Sequence, residues 1–182
     1  MNKMGKQFLI LLCSMLLAMQ CANAQEPGPT EYQIKAAFLY NFAKFIEWPA
    51  DTGTLNLCIL GEDHFGKDID DLAGKAAAGK VLSVRRIKSV KEIKKCRMVF
   101  ISSSETERLD SILTAALGLN ILTVGDTDGY AERGVIINFY EEQNKIRFEI
   151  NKDTAGRSGL KISSKLFGLA RIVQDTRPRK GY

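Results

Sequence analysis

Apolar positions along this chain switch repeatedly between helical and strand spacing. Ile34, Ala37, Phe38, Phe42, Phe45 and Ile46 recur at helical intervals, the pattern of one buried helix face. Thr30 and Gln33 stand in capping-box register before them and Trp48-Pro49 stops the run, which predicts a helix over residues 31–47. Leu55 to Leu60 then forms a short apolar strand ended by Gly61. Lys67 to Ala73 predicts a brief helix before Gly74, Lys80 to Ile87 a strand, and Ser89 to Lys95 a helical turn. Met98 to Ile101 follows as a buried strand, Glu105 to Leu117 as a helix closed by Gly118, and Ile121 to Val124 as another buried strand.

The pattern then becomes strictly alternating. Val135, Ile137 and Phe139 interleave with Ile136, Asn138 and Tyr140; beyond the polar break Glu141 to Lys145, Ile146, Phe148 and Ile150 interleave with Arg147 and Glu149. This predicts a β-hairpin with one apolar face. Ile162, Lys165, Leu166, Leu169, Ile172 and Val173 supply helical spacing and predict a terminal helix lying over that face. The whole order predicts an α/β layered sheet, mostly parallel, with a C-terminal antiparallel hairpin, covered by an N-terminal and a C-terminal helix.

The first residues change the picture by assigning a compartment. Lys3 and Lys6 precede the apolar run Phe8 to Met19, and Ala22-Asn23-Ala24 gives a small-x-small cleavage pattern. Such a run is too short for a hydrocarbon core of roughly 30 Å, so residues 1–24 read as a cleaved secretory signal peptide and the periplasm as the destination. Gln20 argues against lipidation of Cys21. Residues 25–182 are then one domain with a core over about 31–173.

The leader carries two of the 26 basic residues and none of the 21 acidic ones, which leaves +3 on the exported chain. That is too little to indicate nucleic acid as a partner. The runs Lys91, Lys94, Lys95, Arg97 and Arg177, Arg179, Lys180 read as solvated surface. Cys58 and Cys96 alone remain after cleavage, and in an oxidising compartment they predict one disulfide, with two buried free thiols as the alternative. No closed zinc site can be built from two cysteines and one histidine without carboxylates.

Reaction chemistry is sparse. His64, the one histidine, follows a strand in Gly61-Glu62-Asp63-His64-Phe65-Gly66, where a hydrolase could place a base, but no nucleophile elbow, phosphate loop or dinucleotide fingerprint accompanies it. Asp126 and Asp128 would hold a cation only if the fold joined them to Glu62 and Asp63; turn formation at Gly125 to Gly129 explains them otherwise. We assign no catalytic residue, metal or cofactor. A ligand crevice is the better candidate, because open parallel sheets bind ligands beyond their strands' carboxyl ends. Gly61, Ser102, Ser103, Ser104, Gly125 and Asp126 end three such strands; helix capping and turns are the alternative explanation.

Several stretches resemble a known family. The helix Ile34-Lys35-Ala36-Ala37-Phe38-Leu39-Tyr40-Asn41-Phe42-Ala43-Lys44-Phe45-Ile46-Glu47-Trp48-Pro49 resembles the opening of the YfiR-like proteins. Lys145-Ile146-Arg147-Phe148-Glu149-Ile150-Asn151 with Ala155-Gly156 resembles their penultimate strand, and Leu160-Lys161-Ile162-Ser163-Ser164-Lys165-Leu166 with Leu169-Ala170 their closing helix. The resemblance implies a periplasmic, non-enzymatic repressor that binds the periplasmic region of an inner-membrane signalling protein, a diguanylate cyclase or a histidine kinase. It also implies sequestration by an outer-membrane lipoprotein, and homodimerisation stays open. Cys58 and Cys96 match one of the family's cysteine pairs; the second pair, towards the C-terminus, is absent. The partner surface falls on Leu160 and Phe167, apolar residues off the terminal stripe, unless they bury against the first helix.

Overall fold

The computed structural model describes residues 28–49 and 53–176, so the expected signal peptide and the basic run from Arg177 lie outside the described residues. Helix α1 spans Glu31–Phe45 and opens on the expected capping box: Gln33 N–H donates to Thr30 Oγ1 (3.3 Å) and Thr30 N–H to Gln33 Oε1 (2.9 Å). It stops short of residue 47 because Ile46–Glu47 leaves as a strand, β1, paired antiparallel with β9, Lys161–Ile162.

The main sheet contains β2 (Thr54–Leu60), β3 (Ala76–Ala77), β4 (Lys80–Ile87), β5 (Met98–Ile101), β6 (Leu122–Gly125), β7 (Ile137–Glu142), β8 (Lys145–Asn151) and β10 (Arg171–Val173). Their spatial order is β10-β8-β7-β6-β5-β2-β4-β3. Strands β4, β2, β5, β6 and β7 run parallel, whereas β7–β8 and β3–β4 are antiparallel. Taken in chain order, the five parallel strands follow the 2-1-3-4-5 arrangement of a doubly wound sheet, with its topological switch between β2 and β5.

Both faces of the central strands are covered, which is why those strands read as apolar runs. Leu57, Ile59, Met98, Phe100, Leu122 and Val124 pack towards α1. Cys58, Leu60, Val99 and Ile101 pack on the opposite side with Ile93, Leu109 and Ile112, carried by the 3-10 helix Val90–Lys95 and by α3, Leu109–Ala116, which continues a 3-10 turn at Ser103–Arg108. Short helices α2 (Lys67–Asp70), α4 (Lys152–Arg157) and α5 (Ser164–Phe167) complete the described residues.

The hairpin forms as expected. Its two-residue turn, Gln143-Asn144, takes positive φ at both positions (51° and 56°), the primed geometry whose twist matches that of the strands. Its cover differs. Phe42 packs 5.7 Å from Phe139 and 5.1 Å from Phe148, and Phe38 lies 5.5 Å from Phe148, so α1 buries the apolar face assigned above to the terminal helix. Residues 162–173 correspondingly do not form one helix. They make the end of β9, α5 and the edge strand β10, which pairs parallel with β8 through Ile172↔Ile150. Gly168 weakens helix in mid-segment, Ile172-Val173 favour strand, and the outer edge of β8 offers unpaired backbone groups to satisfy.

Candidate functional site at the strand ends

Strands β2, β5 and β6 are neighbours, so the loops after Leu60, Ile101 and Gly125 meet at one end of the sheet beside the switch point. The six candidate crevice residues therefore share one rim. The space between them is largely filled. Gly61 has φ +94°, and a Cβ there would lie 2.5 Å from Ser104 Oγ and 2.8 Å from Glu105 Cγ; close approach, as well as backbone conformation, requires glycine. Glu62 N–H donates to Ser104 Oγ (2.9 Å) and Ser102 N–H to the Leu60 carbonyl (3.0 Å), which ties the two loops together.

The serines do not act as simple caps. Ser102 occupies the N-cap position of the 3-10 turn, yet its buried hydroxyl makes no cap bond and has no hydrogen-bond partner among the described residues. Ser103 is exposed, and its carbonyl accepts from Thr106 Oγ1 (2.7 Å). Gly125 is closed in by Tyr130, whose Cδ2 would stand 2.6 Å from an added Cβ. The Tyr130 hydroxyl is 2.8 Å from Thr106 Oγ1.

Asp126 is the electrostatic centre of the rim. Lys35 Nζ donates to its Oδ2 (2.7 Å) and the Tyr32 hydroxyl donates to the same oxygen (3.1 Å). Residue Lys35 is 4% exposed and the Asp126 side chain 7%; Lys35 also pairs with Glu31 and stands 4.5 Å from the centre of the Tyr32 ring. Tyr32 packs edge-on against Phe65 at 5.0 Å, with His64 5.4 Å away. The first turns of α1 thus plug the crevice. Sequence reasoning assigned Tyr32 and Lys35 no role here, although one signal was legible: Lys35 lies four and seven residues before Leu39 and Phe42, on the same buried stripe.

Burial, followed by the nearby Asp126 charge and hydrogen bond, pushes the Tyr32 phenol well above its ordinary value. Folding therefore favours the protonated phenol. The stabilisation is complete below the unfolded value of about 10 and falls as pH rises above it towards the folded value. Alkaline unfolding should consequently be less steep above about pH 10 in Tyr32→Phe than in the parent, as measured by melting temperature against pH. Equal slopes would contradict the buried phenol.

The other candidates scatter. His64 is partly exposed with Nε2 3.8 Å from Glu62 Oε2. Asp63 is occupied by the backbone N–H groups of Phe65 and Gly66 and by Arg86. Asp128 is exposed. Among the described residues no group of three or more acidic, cysteine or histidine side chains is placed to hold a metal ion. A hollow of about 370 Å³ lies between α1 and α2 and is lined by Gln33, Ala37, Tyr40, Asp68, Leu72 and Lys75.

Cys58 and Cys96 are joined in a disulfide, with Cα atoms 5.9 Å apart. It links β2 to the start of β5, buried beneath the 3-10 helix and α3. Leu160 is only 8% exposed and Phe167 is half-buried against the α1 core, so these two do not form the exposed pair expected of a docking surface. Leu169 and Ile172, expected to face the hairpin, are instead 70% and 46% exposed. The change follows from the terminal segment: once it folds as a short helix and an edge strand, the helical stripe no longer exists.

Fold and site together define a disulfide-stapled, doubly wound α/β protein whose strand-end crevice is closed by its own first helix. The chain belongs to the YfiR/HmsC-like family, whose model matches residues 32–171. Membership supports, in broad terms, a regulatory role in the periplasm. Among solved structures, the chain is similar to an ABC domain from Streptococcus pneumonia in complex with L-Trp (10% identity, TM-score 0.53, covering 78% of this chain and 62% of that one). It is also similar to a conserved domain protein from Vibrio cholerae (11% identity, TM-score 0.52, covering 79% and 60%). The chain spans about three-fifths of the length of these structures, and at such identity they show the fold alone. Among the described residues no helix is long and apolar enough to cross a membrane, and the disulfide is consistent with a location outside the cytoplasm.

Proposed function

We propose that this protein is an exported repressor that binds the periplasmic sensor region of an inner-membrane diguanylate cyclase or histidine kinase and holds it inactive. The observation that carries the reading is the family match across residues 32–171. The filled crevice supports it, because Tyr32 and Lys35 of α1 occupy Asp126 at the strand-end rim where a small ligand would enter. Release of the partner would follow sequestration by an outer-membrane lipoprotein.

The contact surface belongs at the C-terminal edge, where Leu169 and Ile172 leave apolar side chains in solvent beside β10. Replacing both by Glu should weaken binding to the periplasmic segment of the membrane partner by about tenfold or more, while stability changes by under about 1 kcal/mol. Leu160→Ala should act the other way, lowering stability through a core cavity. Binding by purified segments and the cellular cyclic-di-GMP level or kinase output are the readouts. Folded Leu169→Glu/Ile172→Glu protein that represses fully would remove this edge from the interface.

A second reading, a small-ligand sensor, is favoured by one observation: the buried Lys35–Asp126 pair offers both charges to a ligand that displaces α1 from the rim. A ligand-dependent rise in melting temperature, lost in Asp126→Asn, would support it. A hydrolase using His64 would require turnover that disappears in His64→Ala.

A further inference from the structure

Charge is distributed very unevenly along this chain. Residues 80–97 carry Lys80, Arg85, Arg86, Lys88, Lys91, Lys94, Lys95 and Arg97 against the single acid Glu92, a balance of +7. Since residues 25–182 sum to +3, the remainder is −4. The fold concentrates this charge further. Arg86 turns towards α2 and is neutralised by Asp63 and Asp70. The Glu92 carboxylate accepts from the backbone N–H groups of Lys88 and Ser89 and stays as the single negative charge within the run. Arg85, Lys88, Lys91, Lys94 and Lys95 are all exposed, and none makes an ion pair among the described residues.

Those five residues lie along β4 and the 3-10 helix that follows it. In a 3-10 helix, side chains three apart eclipse, so Lys91 and Lys94 stand in line while Ile93 anchors the turn in the core. The 3-10 helix carries exposed Lys91, Lys94 and Lys95 on the sheet face it shares with α3, anchored there by Ile93. Neither the α1–α2 hollow nor the hollow beside Leu113 and Thr123 includes any of the five. A row of exposed cations that make no ion pair among the described residues and line neither hollow fits an extended polyanionic surface better than a small anion.

We infer that the stripe Arg85, Lys88, Lys91, Lys94 and Lys95 docks this protein on an anionic phospholipid surface. The compartment implied by the leader is bounded by membrane, and no described helix can anchor the chain by crossing it. The −4 remainder is repelled by the same surface, so charge also turns the face that carries the stripe towards the lipid. Charge and exposure carry this argument without the repressor reading, so either can fail alone.

The test is flotation of the protein, purified after export, with phosphatidylcholine vesicles that contain or lack phosphatidylglycerol. Binding should require phosphatidylglycerol at low salt and disappear at about 0.5 M salt, where the Debye length falls to a few Å. Lys88→Glu/Lys91→Glu/Lys94→Glu should weaken binding by about tenfold or more. Lys152→Glu/Lys161→Glu/Lys165→Glu changes net charge equally on exposed residues elsewhere and should weaken it by less than about threefold. The milder Lys88→Gln/Lys91→Gln/Lys94→Gln, with its melting temperature checked, separates lost charge from lost fold and should fall between the two. Absence of phosphatidylglycerol-dependent flotation, equal losses in the two Glu variants, or equally tight binding to polyglutamate at the same salt would each overturn the inference.

Discussion

Asp126→Ala should destabilise the protein by about 3 kcal/mol, because it leaves the buried Lys35 ammonium of α1 with its best partner gone. Breaking one side of a buried pair commonly costs about 3 to 5 kcal/mol. The lower end applies here because Lys35 also reaches Glu31 at the helix surface. Replacing both partners by apolar groups of similar size, Lys35→Met with Asp126→Leu, should recover most of the loss, since two desolvation penalties vanish together. Urea unfolding with an unchanged m-value measures both effects. A loss below about 1 kcal/mol in Asp126→Ala would mean that water reaches the pair and that α1 does not close the rim.

The second large effect concerns the disulfide. Cys58→Ser should lower stability by about 2 to 4 kcal/mol, because the bridge closes a loop of sequence separation 38 and restricts the unfolded chain. Both cysteines are buried between β2 and the 3-10 helix, so reduction of the folded protein should be slow and should follow opening of that face. Denatured protein made in the periplasm should show no free thiol without reductant. Labelling of two thiols would remove the bridge, and with it the expected loss. Comparing Cys58→Ser with Cys58→Ala/Cys96→Ala separates loop closure from the cost of burying a hydroxyl. A regulatory role would further require partner binding to change on reduction while the fold persists.

Much of the architecture was legible in the residues because periodicity is a local property. Leu57, Ile59, Met98, Phe100, Leu122 and Val124 lie in unbroken apolar runs since both sheet faces are covered. Gln143-Asn144 sits between alternating segments and makes the hairpin turn by itself. Gly61, Ser102 and Asp126 share one end of the sheet for a similar reason: strand ends can be read from sequence, and doubly wound sheets bring those ends together.

What covers each surface was decided only in three dimensions. The stripe Ile162, Leu166, Leu169 and Val173 has good helical spacing, yet Phe38 and Phe42 reach the hairpin first and β8 has an open edge to satisfy. Lys35 and Asp126 are 91 residues apart, and no local window pairs them. The sequence by itself determined the alternation of elements, the hairpin and the two cysteines available for a bridge. The tertiary structure decided which helix covers the hairpin, that the last segment is a strand, and that a lysine on the first helix closes the crevice. Those outcomes depend on competition between distant surfaces for burial and backbone pairing, which spacing along the chain does not record.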